Sequence, residues 1–293
     1  MKVIESTTKD IERWIPSQWN QIVANQSIKE YFWDMIWCIR QEGHRSGFNM
    51  LLTGDSRGGK TSGITLGIKA LGCFNLDLET FNPCGQCANC KAKVGLYGND
   101  GWENWVDVFE DEETAKKSLR FLYLPVDCTH LTEAEIDKVI GKVRVDDGNL
   151  KIIYLDEVHR LVRRGLDEQL LKPLENCEAI WIASSAYVKK EDCDDGSEDG
   201  RKQNSLEIMF QNRFTFRLET QKPTVDEMVF WLAERCEEWG IRVEAPESTL
   251  QRLAERSRCL PGMALQVVNK AHKKRSKLLT RQLVDEHVFK FDD

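Results

Sequence analysis

The chain has 293 residues, of which 41% are hydrophobic and 30% are charged, and its formal net charge is −7. This apolar fraction supplies a packed core and excludes a disordered chain, while the lack of any apolar run near ~18 residues excludes a transmembrane helix. The polar N-terminus has no secretory signal pattern, so we expect a cytoplasmic protein without a membrane partner. The negative charge argues against non-specific wrapping of nucleic acid but permits a local basic stripe.

The chain begins with alternating helix and strand patterns. Apolar residues at helical spacing predict a helix over 25–43, and the apolar run 48–52 predicts a buried strand. A second helical pattern extends to about Leu71, and a cysteine- and glycine-bearing stretch of little periodicity follows at 73–95. The alternation favours parallel βαβ units.

The alternation continues to about residue 222. Thr132 and Glu135 form a capping-box pattern at the start of one helix, and 189–204 is a polar, low-complexity loop. The strand and helix patterns cover 119–126, 132–144, 151–155, 160–174, 179–183 and 213–218. These elements predict an α/β domain with a doubly wound parallel sheet over residues 1–222.

The pattern changes after Pro223. Only helical segments are expected there, near 224–239, 247–256, 261–279 and 282–290. The sequence therefore predicts a second, small all-helical domain over residues 223–293.

A glycine-rich segment follows the first strand pattern and precedes a helix, which is the context that a phosphate-binding P-loop (Walker A motif) requires. Its glycines let backbone N–H groups approach phosphate oxygens, and Lys60 neutralises their charge. We expect the Thr61 hydroxyl to bind Mg²⁺. The nucleotide-contacting segment comprises Gly54, Asp55, Ser56, Arg57, Gly58, Gly59, Lys60, Thr61 and Ser62.

Two carboxylates end the strand pattern 151–155, as in a Walker B motif. Asp156 at the strand tip is expected to hold Mg²⁺ through water, and Glu157 to orient and deprotonate an attacking water. Together with the glycine-rich segment, this pair predicts a site for ATP and Mg²⁺.

Three of the ten cysteines stand in a Cys84-x-x-Cys87-x-x-Cys90 array, and Cys73 lies eleven residues upstream. Four thiolates complete a tetrahedral, structural Zn²⁺ site. Cys128 or a nearby histidine competes with Cys73 as fourth ligand, and reduced surface cysteines, a redox pair or an iron–sulfur cluster are the alternatives.

These motifs together resemble the ATPase subunits of bacterial clamp loaders, the DNA polymerase III gamma/tau type within the AAA+ superfamily. The resemblance covers about residues 13–290. Pro16–Ile28 looks like the segment that packs near the adenine, and the order of the four cysteines matches an inserted zinc module at about 73–95. Leu155–His159 (LDEVH) and Leu170–Glu175 (LLKPLE) also look like that family.

The resemblance implies further roles by position. Ser184 and Ser185 follow the strand pattern 179–183, where the family has a polar sensor of the γ-phosphate, and the choice between them stays open. Arg213 stands where the family has an arginine that reaches the ATP of a neighbouring subunit. The resemblance thus implies a homo- or hetero-oligomer with ATP at subunit interfaces.

The sequence departs from the family at four points. Arg57 replaces a usual glycine, the triplet around Arg213 lacks its serine and cysteine, and Gly262 stands where many relatives have a lid arginine. Since the chain ends near Asp293, we expect it to lack the family's collar domain.

The leading hypothesis is a clamp-loader-like AAA+ ATPase that assembles on, or remodels, a DNA–protein complex. Its partners would be DNA and a sliding clamp or another recruited protein. The alternatives are an ATP-switched adaptor in transposition, mobile-element replication or defence, and a zinc-binding interaction protein with a degenerate nucleotide site. The candidate DNA contacts are Arg163, Arg164, Lys270, Lys273, Lys274, Arg275 and Lys277.

Overall fold

The computed structural model describes residues 14, 16–43, 47–91, 104–108, 119–145, 148–176, 179–186 and 208–290. The predicted loop 189–204 and the last residues of the predicted zinc module, 92–95, lie outside these ranges. Among the described residues, no helix combines the length and apolar character needed to cross a bilayer.

A six-stranded sheet forms the centre of the first part of the chain. Its order is β2-β3-β4-β5-β1-β6, in which all neighbours pair parallel except β2 and β3. The antiparallel edge strand β2 was not predicted. The strands are β1 (Met50–Gly54), β2 (Asn104–Val108), β3 (Leu119–Asp127), β4 (Leu150–Asp156), β5 (Ala179–Ala186) and β6 (Phe216–Glu219).

Helices cover both faces of this sheet, as a doubly wound fold requires. Alternate residues of β4 enter separate cores, Ile152 beside α1 and α2, and Ile153 beside α4 and α6. The helices are α1 (Gln26–Trp37), α2 (Lys60–Leu71), α3 (Ala88–Lys91), α4 (Glu133–Val143), α5 (His159–Val162), α6 (Glu168–Asn176) and α7 (Ile208–Gln211).

Two helix ends show standard capping chemistry, of which the Thr132–Glu135 capping box was predicted. Gly43 closes the π-helical turn Cys38–Glu42 after α1 with φ of +71°, and the backbone N–H of Thr132 donates to Glu135 Oε2 at 2.8 Å before α4. The helix predicted over 160–174 is wrong in one respect. It is divided into α5 and α6, because Gly165 takes a left-handed conformation with φ of +66°.

The C-terminal part is built from four helices around a core that contains Trp231 and Trp239. It is not purely helical, since Arg242–Val243 (β7) and Leu278–Leu279 (β8) form a parallel pair. The predicted helix 261–279 ends early, because Lys274 is extended and turns the chain toward β8. The helices are α8 (Val225–Glu238), α9 (Pro246–Arg256), α10 (Pro261–Lys273) and α11 (Arg281–Glu286).

Candidate functional site

The glycine-rich loop connects the carboxyl end of β1 to the first turn of α2. Gly54 and Gly59 have φ of +138° and +92°, and a Cβ at Gly54 would lie 1.9 Å from Thr220 Oγ1. A Cβ at Gly58 would lie 3.0 Å from Asp55 O. These positions therefore need glycine, and the loop delivers backbone N–H groups at the amino end of a 12-residue helix. That arrangement suits an anionic ligand.

Lys60 lies inside this loop with only 5% of its surface exposed. Its Nζ donates to Gly54 O and Asp55 O, both at 2.8 Å. Burial lowers the pKa of Lys60, and the carboxylates of Glu157, Asp156 and Asp55 oppose that shift. The ammonium group is thus held in the loop, where an anion can replace its carbonyl partners.

Asp156 ends β4, two strands away from the loop, with β5 between them. Its Oδ1 accepts a hydrogen bond from Ser184 Oγ at 2.6 Å and one from Tyr154 Oη at 2.7 Å. Tyr154 was missed by sequence reasoning, although the two-residue period of a strand places it on the same face as Asp156. The carboxylate is buried and fixed by two hydroxyl donors.

Glu157 follows Asp156 with φ of +55°, a left-handed conformation that non-glycine residues rarely adopt. Its Oε2 accepts from the backbone N–H of Ala186 at 3.3 Å and lies 3.2 Å from His159 Nδ1. Burial raises the pKa of Glu157, and Lys60 opposes the shift. Strained backbone and a perturbed pKa are typical of functional groups.

The two candidate sensor serines point to opposite faces of β5. Ser184 Oγ bonds Asp156, whereas Ser185 Oγ lies 3.2 Å from His159 Nδ1. Burial lowers the pKa of His159 to about 4, with contributions from Arg160, Arg163 and Lys60, so the imidazole is neutral at pH 7. Of the two serines, Ser184 is the one that contacts the carboxylate pair.

A cavity of about 220 Å³ lies between the loop, the N-terminal segment and α10. The polar part of its lining includes Lys60, Thr61, Ser62 and Glu157. The apolar and aromatic part includes Trp14, Ile22, Val23, Trp231 and Leu265. A ligand with a flat apolar part and an anionic part fits this division.

Asn25 connects three segments around the cavity and was also missed. Its Nδ2 donates to Gly58 O at 3.2 Å, and its Oδ1 accepts from the backbone N–H of Gln221 at 2.9 Å. It adopts φ of +61°, which asparagine tolerates. The signal available in the sequence was an asparagine, a residue type that tolerates this conformation, just before a helical pattern.

Four cysteines meet beyond the carboxyl end of α2. The Sγ atoms of Cys73, Cys84, Cys87 and Cys90 all lie within 4.8 Å of one another, and Cys84 and Cys90 are 3.9 Å apart. Tetrahedral zinc with ~2.3 Å bonds sets sulfur atoms about 3.8 Å apart, so the set fits. Cys73 completes the cluster, whereas Cys128 is buried in the other core.

Backbone groups also surround the cluster. The N–H of Cys84 donates to Cys73 Sγ at 3.1 Å, and that of Cys87 donates to Cys84 Sγ at 3.3 Å. A hydrogen bond from Cys90 and one from the backbone N–H of Cys84 lower the pKa of the Cys73 thiol to about 5. The hydrogen bond between Cys73 and Cys90 also raises the pKa of the Cys90 thiol. Arg40 donates to Cys73 O at 2.9 Å. These contacts support thiolate ligands.

Comparison with known proteins finds no matching family profile and no matching curated protein. Solved structures do match. The Thermotoga maritima RuvB Holliday junction branch migration motor has a TM-score of 0.56 at 14% identity, over 94% of this chain and 72% of that one. C. elegans PCH-2 has a TM-score of 0.50 at 12% identity, over 91% and 68%.

The fold is that of the AAA+ ATPases. In that fold the loop after β1 and the carboxylates after β4 lie at one edge of the parallel sheet. The expected fold class, with an α/β P-loop sheet, a four-cysteine module and a helical C-terminal region, is confirmed.

Arg213 lies away from this edge. It precedes the amino end of β6, which runs parallel to β1, so it stands at the edge opposite the P-loop. Its Nη2 forms an ion pair with Glu175 Oε1 at 2.8 Å. The side chain is therefore outside its own chain's cavity and 27% exposed.

Some of the candidate DNA contacts bond to other groups of the chain, and others are exposed. Arg164 donates to Leu131 O and Cys128 O, both at 2.7 Å, so its guanidinium joins two loops of the fold. Lys270 Nζ lies 2.7 Å from His287 Nδ1. Lys274 and Arg275, by contrast, are exposed after α10.

Proposed function

We propose that this chain is an ATPase of the AAA+ superfamily that binds ATP with Mg²⁺ in the cavity and hydrolyses it at subunit interfaces. The observation that carries the proposal is that Lys60 of the P-loop and Glu157 line the same cavity, with Asp156 preceding Glu157 at the end of β4. A cation in a P-loop beside two carboxylates is the arrangement that phosphoryl transfer uses.

The cavity suggests how ATP would lie. Its aromatic lining residues, Trp14 and Trp231, suit the adenine base, and its polar lining residues suit the phosphates. Phosphate oxygens would replace Gly54 O and Asp55 O as partners of Lys60 Nζ. The N–H groups of the loop and of the first turn of α2 would complete their hydrogen bonds.

Thr61 and Asp156 are the residues proposed to hold Mg²⁺. Hydroxyl and carboxylate oxygens are the hard donors that this ion prefers, and Asp156 is 8% exposed and already fixed by two hydroxyls. When bound, Mg²⁺ neutralises charge on the β- and γ-phosphate oxygens.

Glu157 is the proposed general base. The N–H of Ala186 orients its carboxylate, and burial raises its pKa, which strengthens it as a proton acceptor for the attacking water. Ser184 is the better supported sensor, since it contacts Asp156. Arg213 would stabilise transition-state charge in the site of a neighbouring subunit, in keeping with its distance from its own cavity.

The finer proposal is a clamp-loader-like ATPase that assembles on, or remodels, a DNA–protein complex. Support comes from the four-cysteine cluster inserted after α2 and from the similarity to a Holliday junction branch migration motor. DNA is the proposed partner, and a sliding clamp is a further prediction from the family resemblance. The division into an ATPase domain, 1–222, and a lid domain, 223–293, also stays a prediction.

Glu157→Gln tests the proposal. The variant keeps size and hydrogen bonding but loses the base, so we expect ATP binding to persist while turnover falls at least ~100-fold. Binding is measured by fluorescence of Trp14 and Trp231, which line the cavity. Glu168→Gln, on the exposed face of α6, is the matched control. Unchanged turnover in Glu157→Gln would remove it from the base role, and ATP binding by Lys60→Ala at wild-type affinity would contradict the site.

The second candidate is an ATP-switched adaptor that hydrolyses ATP slowly. One observation favours it, namely that the lid presents Gly262 to the P-loop where many relatives of the resembled family have an arginine. Single-turnover hydrolysis with radiolabelled ATP distinguishes the two candidates, because an adaptor retains ATP over many minutes while a motor converts it to ADP.

A further inference from the structure

We propose that Tyr154 is a positioning residue of the metal site. Its hydroxyl orients the two proposed Mg²⁺ ligands, Thr61 and Asp156. This inference rests on the proposed ATPase function. No role for Tyr154 follows from the P-loop or from the carboxylate pair.

The phenol lies at the meeting point of three elements. Tyr154 is fully buried in β4, and its Oη is 2.7 Å from Asp156 Oδ1, 3.1 Å from Ser184 Oγ and 3.5 Å from Thr61 Oγ1. Tyr154 and Asp156 share one face of β4, and that face packs against α2, where Thr61 occupies the first turn. The hydroxyl thus joins β4, β5 and α2 at one point.

The direction of these hydrogen bonds can be assigned. A phenol has an ordinary pKa of about 10, so the Tyr154 hydroxyl carries its proton at neutral pH. The carboxylate of Asp156 can only accept hydrogen bonds, so the Tyr154 hydroxyl donates its hydrogen bond to Asp156 Oδ1. The lone pairs of Oη therefore face Thr61, whose hydroxyl is the donor in that contact.

These hydrogen bonds orient both proposed ligands toward the ion. The Thr61 proton points to Tyr154, so its remaining lone pairs are available to a cation. Asp156 Oδ1 is occupied by two donors, from Tyr154 and Ser184, which leaves Oδ2 for the ion or its water. Partners that orient metal ligands in this way typically account for ~10–100-fold in metal affinity.

Tyr154→Phe removes one oxygen atom and keeps the buried ring. We expect the affinity for ATP without Mg²⁺ to stay unchanged, because the P-loop contacts are untouched. The Mg²⁺ concentration that half-saturates the ATP complex should rise about tenfold. Tyr154→Leu is a second variant without the hydroxyl, and it should shift the midpoint in the same direction.

Mg²⁺ is titrated into the full-length protein with ATP, and the tryptophan fluorescence of the cavity reports saturation. Tyr31→Phe is the matched control, since this buried tyrosine donates to Phe48 O at 2.5 Å, far from the site. A purely structural role would lower Tm in both Phe variants without moving the Mg²⁺ midpoint.

A double-mutant cycle with Asp156→Asn tests the route of the effect. If Tyr154 acts through Asp156, the combined variant shifts the midpoint less than the product of the two single shifts. A wild-type midpoint in both Tyr154 variants overturns the inference. A wild-type protein that binds no ATP with Mg²⁺ would instead overturn the proposed function.

Discussion

Arg57 and Gly262 occupy one shared contact between the P-loop and α10. The backbone N–H of Gly262 donates to Arg57 O at 3.1 Å, and a Cβ at Gly262 would lie 2.8 Å from Arg57 Cβ. With the Gln266 amide oriented to satisfy both groups, its oxygen accepts from Arg57 Nη1 at 2.9 Å and Nη2 at 3.2 Å. The two departures from the resembled family are therefore one packing arrangement, in which the P-loop carries the arginine and α10 carries the glycine.

Gly262→Ala should weaken this contact. The added methyl group overlaps Arg57, and such overpacking typically costs ~1–3 kcal/mol in the free energy of unfolding or displaces the lid. Urea unfolding and the dissociation constant of ATP measure the two outcomes. Gly141→Ala is the matched control in α4, where a Cβ meets nothing within 4 Å, and should stabilise by ~0.5–1 kcal/mol.

Arg57→Gly should partly rescue the Gly262→Ala variant, because it removes the Cβ at 2.8 Å and leaves the backbone oxygen of residue 57 at 3.0 Å from the added methyl group. It also relieves a left-handed backbone, since Arg57 has φ of +63°, which costs a non-glycine residue ~1–2 kcal/mol. Strictly additive effects of the two substitutions would contradict the shared contact.

Stability should fall as pH decreases from about 6.5 to about 4, in part because of His159. Its folded pKa is about 4, below the ordinary ~6.5, so the unfolded chain binds a proton that the folded chain excludes in this interval. Below about 4 this contribution is constant. His159→Asn should flatten the slope in thermal unfolding across that window. An unchanged slope would show that other groups set it.

Metal removal should destabilise the cysteine module. Cys84→Ser takes one of four ligands from the cluster, so we expect loss of zinc by elemental analysis and a lower Tm. Cys38→Ser is the control, because Cys38 is a free cysteine outside the cluster. Iron in place of zinc would favour the iron–sulfur alternative, and full metal content in Cys84→Ser would exclude the four-thiolate site.

The proposed binding of DNA should depend on Lys274 and Arg275. Both are exposed, and charge reversal of two phosphate contacts should weaken DNA binding at low salt and make the slope of log K against log[salt] shallower by ~1.8. Lys172→Glu, exposed on α6, is the control. Arg164→Ala should instead lower Tm, since its guanidinium bonds Leu131 O and Cys128 O. An unchanged salt slope in the double reversal would remove this surface from DNA binding.

Local motifs were predictable because short spacing defines them. The P-loop, the Asp156–Glu157 strand end and the three clustered cysteines each lie within one segment, and their neighbours follow from strand and helix periods. Cys73 as fourth member of the cluster depended on how the chain turns after α2, which the sequence alone left open against Cys128.

Contacts between distant segments were not predictable in the same way. Asn25 meets Gln221, and Arg57 meets Gly262, across about two hundred residues. Two further differences from the predicted elements have local causes. The left-handed Gly165 separates α5 from α6. The backbone N–H of Arg242 donates to Lys277 O at 2.9 Å, next to the paired strands β7 and β8. Such pairings follow from three-dimensional packing rather than from periodicity.

The proposed role of Arg213 in a neighbouring site has a consequence for assembly, because Arg213 and the P-loop lie at opposite edges of the sheet. An arginine donated from one edge to a site on the other edge joins chains head to tail, an interface that generates closed rings or open helices rather than two-fold dimers. In an open arrangement, the terminal chain would hold a nucleotide that receives no arginine. In a closed ring every site would be complete, so the ratio of active sites to chains would report the geometry of the assembly.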